Sequence, residues 1–205
     1  MHTYTLDIGI GPSQCEWPRE NQYKLCIMRQ INDRYIIVRQ GGDIHEHNTF
    51  EWSEEFQVFW GNLSPTGILL EGCSPQPIAY GQTVIVNGDS SMGSATGEPD
   101  NSGKFTIINK YSKEVRVRIN TKEGDSWTTY YVSPAEVAVG STTVITSHSS
   151  VKIWFEVKAK TGSTTTEIIT ESHTVGFEGT TSRMISFKGD KSGGSGKWID
   201  GPLPE

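Results

Sequence analysis

The sequence predicts an all-β protein, an antiparallel β-sandwich in two sandwich-like halves. Three observations predict it. Apolar and polar residues alternate with a period of two through most of the chain, turn-forming residues break these runs at short intervals, and no window of helical length carries a capped apolar stripe. A chain of 205 residues is long enough to bury one large sandwich core or two smaller ones. Its 22 glycines supply positive-φ positions for tight turns, while the many Thr and Val residues suit pleated surfaces.

The elements follow in order. Tyr4, Leu6, Ile8 and Ile10 fall on one face of an opening strand, and Tyr23, Leu25 and Ile27 oppose Lys24 on a second. Further strands are predicted at Arg34–Arg39, Phe50–Trp60, Gly67–Gly72 and Ile78–Val86, separated by Gly41-Gly42, Pro65-Thr66-Gly67 and Pro75-Gln76-Pro77. Residues 87–103, NGDSSMGSATGEPDNSG, have almost no apolar content and read as a linker or long loop.

The β pattern resumes at Phe105–Ile108. In Val115–Ile119 the valines and isoleucine face one way and the arginines the other, as on a half-exposed antiparallel strand. Trp127–Ser133, Val137–Ser147, Val151–Val157, Thr164–Phe177 and Arg183–Lys188 complete the set. Helical structure is expected only as short turns. The predicted organisation is therefore a sandwich half over 1–86, a linker over 87–103, a second half over 104–188 and a Gly/Ser-rich tail over 189–205. Composition predicts a disordered tail unless Trp198 and Ile199 dock it. Residues 77–85 and 137–145 echo each other, each running from a turn past a glycine into Thr-Val-Ile, which favours two related halves.

Charge narrows the function classes. A net charge of −6 and a pI near 5.4 repel a phosphate backbone, so nucleic acid is not an expected partner. The basic runs 104–122 and 183–197 contain or adjoin acidic residues and read as solvated strand faces. The start MHTYTLDIGIG lacks the basic and long apolar segments of a secretory leader, and no stretch is long enough to cross a bilayer. A soluble, cytoplasmic protein is expected. Cys15, Cys26 and Cys73 are too few and irregular for a disulfide framework, and are read as free thiols in a reducing compartment.

Three local patterns are candidate sites. In Asp43–Glu51 the spacing His45-x-His47-x3-Glu51 sets two imidazoles at i and i+2 on one strand face, where they and the carboxylate can grip a divalent metal. The spacing resembles the first metal motif of cupins. Arg39 and Val58 stand where that motif has glycines, and an exposed loop is the alternative reading. The second pattern is aromatic. Trp154 lies between Lys152 and Glu156, opposite the apolar face of Val151, Ile153, Phe155 and Val157, while Trp127, Tyr130 and Tyr131 put rings on both faces of another strand. Trp127, Tyr130 and Trp154 are thus candidate ligand-binding residues, with coverage by a second sheet, a partner subunit or the tail as the alternative. The third is the Ser/Thr-rich run 161–175, which resembles the inserting hairpins of pore-forming β-toxins. Adjacent Ile168 and Ile169 break the alternation that a membrane strand of about nine to eleven residues needs. An edge hairpin is the alternative.

No nucleophile elbow, phosphate loop or dinucleotide fingerprint is present. Glu54 and Glu55 are adjacent and face opposite ways on a strand, so without a bulge they cannot act together as acid and base.

The segment Phe50–Gly61, FEWSEEFQVFWG, followed by Thr66-Gly67-Ile68-Leu69-Leu70, resembles a motif in microbial cytosolic β-proteins related to the rhizosphere-induced protein family. The resemblance covers residues 23–86 and implies a cytosolic β-protein. It carries over no catalytic residue. On the residues themselves, Phe50 with Trp52 and Phe56 with Val58 and Trp60 read as a core strand pair, with Ser53-Glu54-Glu55 bulging between them.

The function expected from these features is non-enzymatic binding of a glycan or a partner surface, lectin-like, through loops and exposed aromatics. A membrane-active β-type cytolysin and a metal-dependent enzyme centred on His45, His47 and Glu51 are the alternatives. A divalent metal is the one cofactor suggested, a membrane surface is a less favoured partner, and an oligomer is compatible with the sequence.

Overall fold

Alternating side chains make a strand, and a strand needs partners for its backbone groups and a cover for its apolar face. The computed structural model describes residues 3–20, 23–32, 34–40, 44–63, 69–157, 164–165, 172–189 and 196–203. In chain order they form β1 (Thr3–Ile10), α1 (Pro12–Glu20), β2 (Tyr23–Ile31), β3 (Arg34–Gln40), β4 (His47–Ser53), β5 (Phe56–Leu63), β6 (Leu69–Glu71), β7 (Gln76–Ile78) and β8 (Thr83–Val86). There follow β9 (Lys104–Asn109), β10 (Arg116–Glu123), β11 (Ser126–Val132), β12 (Thr142–Val157), β13 (Thr164–Thr165), β14 (His173–Gly176), β15 (Ser182–Gly189) and β16 (Gly196–Asp200). The fold is all-β and sandwich-like, about 60% strand and 5% helix, with mostly antiparallel sheets.

The contacts divide the chain into two units, at other places than composition suggests. Residues 53–147 form one, and residues 2–52 with 148–205 form the other. The first is thus an insertion in the sequence of the second, and residues 87–103 lie inside it. Its loop is not a bare linker. It folds back along β8 through bridges between Val86 and Met92 and between Thr83 and Thr96, and the Asp100 N–H donates to the Tyr80 carbonyl at 2.9 Å.

In the discontinuous unit, one sheet runs β16-β15-β1-β4. β1 and β15 pair in parallel, with Leu6 opposite Arg183 and Ile8 opposite Ile185, so strands from the two ends of the sequence lie side by side. A second set places β3 beside β2, β2 beside β12, and β14 on β12 through Val151–Val175 and Ile153–His173. Leu6, Ile8 and Ile10 from the first sheet and Leu25, Ile27, Val151, Ile153 and Val175 from the second share one core. Burying each such side chain stabilises by about 1.5–3 kcal/mol.

The nine-residue α1 is longer than the expected helical turn. Pro12 occupies its first position, where a missing N–H costs nothing, and Cys15 enters the core. Pro18 stands inside this helix, and the polar residues around it conceal the element from a search for apolar stripes. The tail also forms structure. β16 pairs antiparallel with β15, Phe187 opposite Trp198, and the Trp198 ring stacks on Phe155 at 5.3 Å.

In the inserted unit, a five-stranded sheet has the order β11-β10-β5-β6, with β7 also on β5. Against it lie β8, β9 and the start of β12. β8 is parallel to β9, and Thr142–Thr146 of β12 is antiparallel to it. Phe56, Tyr80, Phe105 and Tyr130 form the ring cluster between the layers, with centroids 4.9–5.3 Å apart in the four closest pairs. The sequence echo marks these flanks of β9. Gly81 (φ 81°) and Gly140 (φ 74°) make the turns that launch β8 and β12, so both copies sit in one unit rather than in two halves.

The Phe50–Trp60 run is not a strand pair. β4 belongs to the sheet of β1 and β5 to the five-stranded sheet, with Glu54-Glu55 between them. The aromatic reading of this segment as core is right for Phe50, Phe56 and Trp60, which are all buried. Cys15 and Cys26 are buried and Cys73 is partly exposed. Among the described residues no helix is long and apolar enough to cross a membrane.

Candidate functional site

The metal candidate is not assembled. β4 begins at His47, so His45 lies in the turn ahead of the strand and not on it. Asn48 fixes this turn. Its Oδ1 accepts the His45 N–H at 3.1 Å and its Nδ2 donates to the His45 carbonyl at 2.6 Å. His45, His47 and Glu51 are exposed, and among the described residues no three His, Cys, Asp or Glu side chains are placed to hold a metal ion.

Two of the three aromatic candidates are core residues. Trp154 is 1% exposed although charged residues flank it in sequence. Tyr130 is also 1% exposed, and its hydroxyl meets the Ser147 hydroxyl at 2.5 Å. A bulge explains the tyrosines. Ile119 pairs with Tyr131 and Asn120 with Thr129, which leaves Tyr130 as the extra residue and turns both rings inward. Trp127 is different, being 39% exposed. Most of the Ser/Thr-rich run 161–175 lies outside the described residues.

Trp127 stands at the end of a sheet face of mixed polarity, on which Phe59, opposite Arg118, is fully buried. Residues directly opposite each other in a ladder project to the same side. On the inner side Val58 opposes Ile119 and Tyr131, and Trp60 opposes Val117, all buried. The outer side therefore carries Gln57, Asn120 and Thr129 as one row across β5, β10 and β11, with Lys122 opposite Trp127 in the next.

Arg118 lies on the same side, its guanidinium 5.2 Å over the Phe59 ring, and it donates to the Thr129 hydroxyl. Lys122 pairs with Glu55 at 3.2 Å. Arg116 is held by the carbonyls of Ser133 at 3.0 Å and Pro134 at 2.9 Å, with Glu136 at 4.0 Å. Arg116 and Lys122 thus face carboxylates, and the face carries groups of both signs. Asn120 is buried, and its Oδ1 has no hydrogen-bond partner among the described residues. Among the described residues β11 is the last strand of the sheet, which places Trp127 at its margin.

The outward arginines were legible in the alternation of Val115–Ile119. Gln57, Asn120 and Thr129 were not, because their alignment depends on registers between strands far apart in sequence.

A second feature of this unit is an open cleft of about 370 Å³ lined by Gly72, Cys73, Ser74, Gln76 and Asp89–Met92. The Cys73 sulfur receives the Trp60 backbone N–H at 3.5 Å, and the Trp60 indole donates to the Ser90 carbonyl at 2.8 Å. Hydrogen bonds from the Ser91 hydroxyl and then its N–H hold the Asp89 carboxyl below the usual aspartate range. Among the described residues the lining includes no histidine.

Compared with family models, curated proteins and solved structures, the chain matches none.

Proposed function

We propose that this chain is a non-enzymatic binding protein that recognises a glycan on the outer face of its five-stranded sheet. One observation carries the reading: Trp127 presents an exposed indole beside the row Gln57, Asn120, Thr129. A sugar has apolar C–H faces that stack on an aromatic ring and hydroxyls that exchange hydrogen bonds with amides, hydroxyls and guanidinium groups. The indole supplies the first kind of contact, and Gln57, Thr129 and Arg118 the second. The likeness of residues 23–86 to the rhizosphere-induced family belongs to the same proposal, since it implies a cytosolic β-protein and brings no catalytic set.

A glycan array probed with the purified chain tests the reading. Trp127→Ala is expected to fold like the parent and to weaken binding by about 2 kcal/mol, about thirtyfold in Kd. A blank array, or equal binding by the variant, sinks the proposal. A second reading rests on the marginal position of β11, whose outer backbone edge can accept an extended segment of a protein partner. Binding through that edge uses main-chain hydrogen bonds and survives Trp127→Ala.

A further inference from the structure

We propose that Asn87-Gly88 is a self-modification site, at which the chain converts its own asparagine to aspartate and isoaspartate by intramolecular deamidation. Asn87 is the one asparagine in the sequence that a glycine follows. The structure leaves the attacking group unencumbered. Gly88 is exposed, a Cβ built on it meets nothing within 4 Å, and its N–H makes no hydrogen bond among the described residues.

The turn around it is held in place. The Asn87 N–H donates to the Ser91 carbonyl at 2.8 Å, the Ser90 N–H donates to the Asn87 carbonyl at 3.0 Å, and Asn87 Nδ2 donates to Ser91 Oγ at 3.0 Å. Nucleophile and electrophile are thus neighbours in an ordered turn open to solvent base. Asn109 shows the opposite arrangement. It is fully buried, its Nδ2 bonds the carbonyls of Lys113 and Val137 at 2.9 Å each, and lysine follows it.

The chemistry closes without a further reagent than water. A solvent base takes the Gly88 amide proton, and the nitrogen attacks Asn87 Cγ to form a five-membered imide. The Cγ–Nδ2 bond breaks and the side-chain nitrogen leaves as ammonia after regaining a proton. Water then opens the ring. Cleavage of the new N–Cγ bond gives aspartate on the ordinary backbone, and cleavage of the bond to the main-chain carbonyl carbon gives isoaspartate, with an extra methylene in the main chain.

Either product adds a carboxylate two residues from Asp89 and loses the Asn87–Ser91 side-chain bond. The turn so altered lines the cleft and carries the Ser90 carbonyl that accepts the Trp60 indole N–H. The modification therefore alters a wall of the cleft.

The test is incubation of the purified full chain at neutral and mildly alkaline pH, followed by peptide mapping and an enzymatic isoaspartate assay. Isoaspartate is expected to accumulate at position 87 faster than at any other asparagine, and faster at the higher pH. Gly88→Ala fits the open space, and Gly88 is not among the residues with positive φ, so this variant should melt like the parent while deamidating several-fold more slowly. The proposal is overturned if position 87 stays intact, whether or not another asparagine reacts, or if Gly88→Ala deamidates as fast as the parent. A variant that melts differently is replaced by Gly88→Ser, read in the same way.

Discussion

Trp154 and Trp127 both sit among polar neighbours in the sequence, yet one is 1% exposed and the other 39%. Adjacent residues on a strand face opposite ways, and Ile153 at 0% and Trp154 at 1% are both buried, so both faces of β12 are covered at this point. Flanking charges therefore misreport the burial of Trp154. Trp154→Ala should cost about 3–5 kcal/mol, measured by thermal or denaturant unfolding, whereas Trp127→Ala should leave the transition almost unmoved. Asp89 gives a pH prediction. Its carboxyl, stabilised as the anion by Ser91, should titrate below the ordinary aspartate value of about 3.9. A depressed folded pKa contributes stability above the unfolded pKa and loses it as pH falls through the folded one. Side-chain NMR should show this low midpoint, and Ser91→Ala should return it toward the ordinary range.

At the scale of elements, short polar segments proved most dependent on their partners. The 87–103 loop has the composition of a linker, but β8 offers unpaired backbone groups, and the loop satisfies them through the Thr83–Thr96 and Val86–Met92 bridges. The tail behaves likewise. β16 has few apolar residues of its own and gains its place from Trp198, whose ring lies 4.8 Å from Phe187 and 5.3 Å from Phe155. Removing that anchor should release the strand. Trp198→Ala is expected to lower stability by about 2–3 kcal/mol and to speed hydrogen exchange at the β16 amides well before global unfolding. Unchanged protection of those amides would mean that the β15–β16 ladder holds without the ring.

For the whole molecule, the order of strands in sequence is not their order in space. The discontinuous unit takes β1 to β4 from one end of the sequence and the later part of β12 with β13 to β16 from the other, joined by the parallel β1–β15 ladder. The inserted unit holds both of its layers and its aromatic cluster within residues 53–147. Expressed alone, residues 53–147 should therefore give the dispersed amide spectrum of a folded sandwich, and residues 2–52 alone should not, since β1 then loses β15, β3 loses β13, and their core loses Val151, Ile153, Val175 and Ile185. A disordered 53–147 fragment would show that its core is insufficient by itself. Pairing between chain ends also predicts slow folding of the discontinuous unit, because long loops must close before the ladder rewards them.

The sequence by itself determined the all-β class, the inward faces of β1, β2 and β10 and the core role of Phe50, Phe56 and Trp60, and it left the tail between disorder and docking through Trp198 and Ile199. These depend on local alternation and on side-chain size, which any short window displays. The tertiary structure decided the rest: the two-unit division, the place of His45 ahead of the strand that His47 opens, the burial of Tyr130 and Trp154, and the row of Gln57, Asn120 and Thr129 beside Trp127. Each of these depends on register, on a bulge or on what covers a strand's second face, and such relations join residues whose separation in sequence carries no local signal.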